Sequence, residues 1–374
     1  MDPTDLREAV PAFEDVRYMN TGASGPSPRP VVEAAQAFLA RHEYDAASEE
    51  GPYPLAFDTY EDVRATVADF LGAAETEIAL TQSTSDGINR VATALEWEPG
   101  DAIVRTDLEH PAGVLPWSRL ERRGCEVRVV PTEDGRIDRE AYREAVQDAK
   151  LVCFSAITWN YGTFLPVEEL VEEAHDAGAF VLVDAVQVPG HSPLDVTEWG
   201  ADAVAAAGHK WLLGTWGGGF LYVEESVADD LEPAAIGYRS VEDPGAADYA
   251  LKRGAPRFEI GTTNLAPYVA LQTAIETIES VGMDVVESHV LRLAARLADR
   301  VPDERLLSPA DPETGLVTIR VDDPEETVET LKEEYGVVVR PIPSLDGSIR
   351  ASLHVVNTAA DVDRLVEGLE ETGW

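Results

Sequence analysis

Ala179-Phe180-Val181-Leu182-Val183-Asp184-Ala185-Val186-Gln187 is an unbroken apolar run interrupted by a single carboxylate. Such a run reads as a strand buried on both faces of a parallel sheet, and a carboxylate at its carboxyl end is costly to bury without a cationic partner. The next strand-like segment, Ala203-Val204-Ala205-Ala206-Ala207, passes through Gly208-His209 into Lys210-Trp211 and then the cluster Gly217-Gly218-Gly219. Upstream, Ile78 to Leu80, Ala102 to Val104, Val127 to Val130 and Leu151 to Ala156 also read as strands, alternating with helical stretches. The alternation predicts an α/β fold with a mainly parallel central sheet covered by helices, whose ligands collect beyond the carboxyl ends of the strands.

Residues 1–30, rich in proline and glycine towards their end, read as an irregular N-terminal arm. Residues 31–263 read as a large domain, and 264–374 as a linking helix followed by a smaller C-terminal α+β domain. Helices are expected over Val31 to Tyr44, Phe57 to Leu71, from Ser85, over Leu265 to Ser280, and near 284–300, 325–335 and 359–371. Strands of the smaller domain are expected over Gly315 to Arg320, Val337 to Arg340 and Ile349 to Leu353.

Seventy acidic against 29 basic residues give a formal net charge of −41, which argues against nucleic acid and anionic membranes as partners. The acids are dispersed and only four of the basic residues are lysines, so a solvation shell for a salt-rich cytoplasm is a better reading than an acidic docking face. Cys125 and Cys153 sit beside apolar runs and read as buried free thiols; without a CxxC or Cys/His cluster, neither disulfide nor metal is expected. The N-terminus lacks the basic and apolar stretches of a signal peptide, and no run approaches the ~18 apolar residues of a membrane span. The expectation is a cytoplasmic protein.

Lys210, read alone, is a surface lysine beside a turn, but the alanine-rich strand before it places it in a tight interior where a lysine pKa shifts readily. A lysine able to form a Schiff base, with Asp184 to keep a pyridine nitrogen protonated, is what pyridoxal 5′-phosphate (PLP) chemistry requires. Gln187 suits a hydrogen bond to the cofactor's phenolic oxygen, the alternative being a solvated loop amide. Thr84 and Ser85 open a helix after a strand, a place that favours an anion such as a phosphate as well as an ordinary N-cap.

These motifs, in this order from Tyr18-Met19-Asn20-Thr21-Gly22-Ala23 to Arg350-Ala351-Ser352-Leu353, resemble the class V aminotransferases of PLP fold type I. That family includes cysteine desulfurases, selenocysteine lyases and isopenicillin-N-epimerase-like enzymes. The resemblance implies a homodimer with shared active sites, His209 at the cofactor phosphate, and His110 over the PLP ring. It also implies Thr262 reaching the neighbouring subunit's phosphate and Arg350 binding a substrate α-carboxylate, with Arg340 a second candidate. Asn20, Thr21 and Ala23 fall where relatives line the substrate entrance, and Asn160 or Trp159 at the cofactor edge. Many relatives carry serine where this chain has Ala207, so another donor must serve the phosphate. Without the resemblance, His110 reads as a capping residue, Thr262 as the approach to a helix, and Arg350 as half of a surface ion pair.

The fold does not select a reaction. Cysteine desulfurases carry a sulfur-accepting cysteine on a loop that here reads Pro341-Ile342-Pro343-Ser344-Leu345-Asp346-Gly347-Ser348-Ile349, which has none. The leading expectation is an aminotransferase-like or epimerase-like enzyme acting on a small amino acid. The alternative is C–S or C–Se cleavage without a persulfide cysteine; from another class, a non-catalytic PLP-fold binding protein competes. The glycine cluster lacks GxxxxGK[ST] and is not a nucleotide loop.

Overall fold

A computed structural model describes residues 1–374. In chain order its strands are β1 (Arg17–Tyr18), β2 (Ile78–Thr81), β3 (Ala102–Thr106), β4 (Glu126–Val130), β5 (Thr132–Glu133), β6 (Arg136–Ile137), β7 (Ala149–Ser155), β8 (Phe180–Asp184), β9 (Ala203–Ala207), β10 (Gly219–Val223), β11 (Leu316–Arg320), β12 (Val337–Val338), β13 (Arg340–Pro341) and β14 (Ser348–Ser352). The central sheet runs β2-β10-β9-β8-β7-β3-β4. Only β10 is antiparallel to its neighbours.

Both faces of this sheet are buried, which is why its strands show apolar runs without alternation. Along β7, Leu151 and Cys153 pack into one core with Leu182 and Ala205, whereas Val152 and Phe154 point the other way into a core with Val183 and Ala206. Each such Leu, Val or Phe side chain contributes about 1.5–3 kcal/mol through burial. Because the other six strands run the same way, the loops after β2, β3, β7, β8 and β9 emerge along one edge.

A second sheet, β11-β14-β13, is packed by the helices Met283–Ala298, Pro324–Tyr335 and Ala359–Thr372 around Leu293, Leu297, Val317, Ile319, Leu365 and Leu369. The middle helix has clear sequence punctuation: Asp323 caps the N–H of Glu326, Pro324 occupies the first turn, and Gly336 ends the helix in the left-handed region. No helix is long and apolar enough to cross a membrane.

The arm is not irregular as expected. Helices span Pro3–Ala9 and Ala12–Asp15, the first closed by a capping box between Asp2 and Asp5. β1 then pairs in parallel with β12, the Met19 N–H donates to the Val338 carbonyl at 2.9 Å, and the Met19 side chain joins the core of the second sheet. The helix expected from Phe57 begins earlier, at Pro52, because a proline in the first turn needs no N–H partner. The short hairpin β5–β6 was not anticipated either.

Candidate active site

The converging loops enclose a cavity of about 180 Å³ with Lys210 on its wall. Gly25 lies so close to the Lys210 carbonyl that a side chain there would collide with it, and the Gly25 N–H donates to the His209 carbonyl at 2.8 Å. The arm therefore braces the lysine from behind. Of the expected residues, Ala23, Thr84, Ser85, His110, Asp184, Gln187, His209, Lys210 and Arg350 all line this cavity.

Burial lowers the Lys210 pKa to about 8, against the opposing pull of the Asp184 carboxylate and with help from Arg350 and Arg340. The Asp184 carboxyl is raised by burial, and its Oδ1 accepts only the Val186 N–H at 3.0 Å. His110 is pushed down to about 4 by burial and then by Lys210, so its ring is neutral. Its Nδ1 accepts the Ala112 N–H at 3.2 Å, which puts the ring proton on Nε2. The ring stands edge-on to Trp159, with centroids 5.6 Å apart.

Gln187 is held at both ends of its amide. Its Oε1 accepts the Trp211 indole N–H at 2.7 Å and its Nε2 donates to the Gly22 carbonyl at 3.0 Å, leaving one N–H for the cavity. Two buried neutral histidines support Trp211: the His191 ring packs against the indole at 4.6 Å, and the His354 Nε2 donates to the Trp211 carbonyl at 2.8 Å. His191 in turn accepts the Gly315 N–H at 2.8 Å, which ties this support to the second sheet.

Four expected residues, Asn20, Thr21, Asn160 and Thr262, lie outside the cavity lining. Asn20 is outside the cavity; its carbonyl accepts the Ala23 N–H at 2.9 Å and its backbone bridges to Ser352, so it shapes the turn that presents Gly22 and Ala23. Asn160 does not line the cavity either, and its side-chain Oδ1 is buried without a partner. The Thr158–Gly162 turn turns Trp159 into the cavity, while the Asn160 carbonyl accepts the Thr318 hydroxyl at 2.6 Å. Thr262 sits in a separate depression beside Tyr53 and Phe57, 3.0 Å from the Tyr238 hydroxyl, and does not line the cavity.

Other residues were missed. Ser83 caps the helix Thr84–Ala94 and also lines the cavity. Ser155 lines it too, and its hydroxyl donates at 2.6 Å to Glu109, a fully enclosed carboxyl that also accepts the Thr106 hydroxyl at 2.6 Å. The only signal for Glu109 was its place beside His110 after a buried strand.

Burial raises the Glu109 pKa to about 7, and the nearby Asp184 carboxylate adds to the rise. A raised carboxyl pKa means the folded chain holds more protons than the unfolded one. The stability this contributes is complete below the ordinary carboxyl range and is lost as pH rises through about 7. The Tm of Glu109→Gln relative to wild type should therefore climb as apoprotein melts move from pH 5 to pH 8. A difference that stays flat with pH would show that Glu109 does not titrate there.

The cavity's polar atoms fit a ligand that is anionic at two ends. The Thr84 hydroxyl is buried without a partner beside a helix N-terminus, and the Nε and Nη2 of Arg350, which also lines the cavity, are buried without partners. Asp184 retains a carboxylate oxygen with no donor, and Lys210 is the amine.

The Aminotransferase class-V family model matches residues 17–365. The chain belongs to the class-V aminotransferase family. It is a PLP enzyme, and the residues just described suit that cofactor: Ser83, Thr84, Ser85 and His209 at a phosphate, Asp184 at the ring nitrogen, Lys210 at the aldehyde. Among class-V relatives, a probable cysteine desulfurase of Methanothermobacter thermautotrophicus is 34% identical, with 99% of this chain and 98% of the relative covered. The cysteine desulfurase of Haloferax volcanii is 30% identical, over 94% of this chain and 88% of the relative. The apo cysteine desulfurase of Thermococcus onnurineus NA1 superposes with a TM-score of 0.90 at 31% identity, covering 99% of this chain and 98% of the other. The fold is thus PLP fold type I.

Proposed function

We propose that this class-V enzyme is a lyase that cleaves the Cβ–S bond of cysteine, or the matching C–Se bond, and releases the chalcogen as a small molecule. Relatives named cysteine desulfurases favour sulfur chemistry over the transamination or epimerisation expected first. The observation that carries the reading is the position of the thiols. Cys125 and Cys153 are both buried and unbridged, neither lines the cavity, and Pro341 to Ile349 contains no cysteine. No side chain of this chain is placed to accept sulfur as a persulfide. The balanced reaction is cysteine plus water to pyruvate, ammonia and hydrogen sulfide.

Bound PLP supplies an electron sink for charge developing at Cα. The Lys210 amine, with its lowered pKa, takes the Cα proton. Asp184 holds a proton at the ring nitrogen, and the free N–H of Gln187 donates to the phenolic oxygen. The His110 Nε2–H donates a hydrogen bond to the departing sulfur, and Arg350 holds the α-carboxylate through its open edge. The same reading takes the enzyme to be a dimer in which Thr262 serves the partner's phosphate.

Product analysis with L-cysteine tests it. Sulfide and pyruvate should appear in equal amounts, with no sulfur retained on the protein. Alanine together with a protein persulfide would mark a desulfurase, an oxo acid without sulfide a transaminase, and loss of optical activity alone an epimerase.

A further inference from the structure

Arg340 on β13 and Arg350 on β14 are directly opposite one another in the second sheet, so their side chains share a face, and both line the cavity. Most arginines in this acidic chain pair with a carboxylate; these two do not, although the chain has 70 acidic residues to draw on. Arg350 is fully buried. Its Nη1 donates to the Trp159 carbonyl, while Nε and Nη2 have no partner. Those two nitrogens form one edge of the guanidinium, and a single carboxylate bound side-on saturates it. Arg340 is half-buried and uses only Nε, which donates to its neighbour's carbonyl on Pro341 at 3.2 Å. Its outer edge remains open beside a site where the α-carboxylate is already accounted for.

We propose that Arg340 reads a second anionic group, carried on the substrate side chain. The substrate class is then an amino acid whose sulfur bears, directly or through a short linker, an acidic substituent that departs with it. This rests on the reading above that Arg350 holds the α-carboxylate of a sulfur amino acid. In the balanced step the Cβ–S bond breaks, its electron pair leaves with sulfur, and the anionic thiol is released alongside pyruvate and ammonia after one water is consumed.

The test compares two S-alkylcysteines that differ in the terminal acidic group, S-carboxymethylcysteine and S-ethylcysteine, with the holoenzyme. Wild type should favour the carboxymethyl compound in kcat/KM, and Arg340→Gln should erase about tenfold or more of that preference, read as the ratio of the two kcat/KM values so that any effect of the lost charge on Lys210 cancels. Arg340→Lys should keep part of it, since an ammonium restores charge without the fork. Calorimetric titration with unreactive succinate and propionate supplies a second readout: succinate should bind wild type more tightly, and the advantage should vanish in Arg340→Gln. If Arg340→Gln weakens both members of each pair equally, or neither, Arg340 serves the α-carboxylate or nothing, and the proposal is overturned. If no thiol is released from either cysteine derivative while the succinate preference depends on Arg340, the lyase reading fails and the second anion site stands.

Discussion

Lys210→Ala should retain the fold and lose turnover by at least about a thousandfold, because the one amine on the cavity wall is removed. Little packing is lost, since the lysine opens to the cavity and its ammonium makes no hydrogen bond or ion pair. The Tm should therefore stay near that of wild type, and small primary amines added to the variant should restore part of the rate by acting in place of the missing base. On wild type, borohydride reduction should fix the cofactor to the peptide containing Lys210. A label mapped to Lys150, Lys252 or Lys332 would remove the basis of the mechanism.

Arg350→Ala should lower kcat/KM for amino acids by roughly thirtyfold to several thousandfold, the equivalent of about 2–5 kcal/mol for losing a charge-assisted contact in a desolvated site. Burial and the neighbouring Arg340 already strain the cation, pulling the Arg350 pKa below its ordinary value. Arg350→Lys should recover only part of the loss, for want of a planar fork. Decarboxylated amine analogues should be poor substrates of wild type and indifferent to the change. Equal losses for amino acids and amines would make Arg350 a structural residue, and the amino-acid assignment would lose its support.

The parts of this site that were legible in the sequence were those that punctuate strands. Asp184 and Lys210 follow apolar runs too long and too uniform to be anything but buried strands, and their loops had to meet at one edge of a parallel sheet. What stayed hidden depended on distances across the fold. Trp159 lines the cavity and Asn160 does not, a difference of one residue of register in a turn whose hydrogen bonds to Thr158 and Thr163 no local pattern announces. Glu109 looked like a polar neighbour of His110, because enclosure by Thr106 and Ser155 is a tertiary fact. The two arm helices carried a readable capping box at Asp2 and Asp5, but the glycines and prolines between Gly22 and Pro30 dominated the composition of that stretch. Thr262 poses the opposite problem: its position is clear, but it does not line the cavity.

The parallel pairing of β1 with β12 and the bond from the Ser352 N–H to the Met19 carbonyl join residues made first to residues made nearly last. During synthesis, the turn bearing Gly22 and Ala23 can lean on Gln187 and His209, but its contacts to β12 and β14 wait until the chain has passed residue 352. Contacts this distant in sequence are slow to close, because the intervening chain must surrender its freedom before they form. The central sheet has its full set of strands once residue 223 is made. The cavity has its full set of walls only when the segment before Gly22 has met β12 and β14, so a nascent chain that stops short of them holds the loops after β2, β3, β7, β8 and β9 without the wall that bears Arg340 and Arg350.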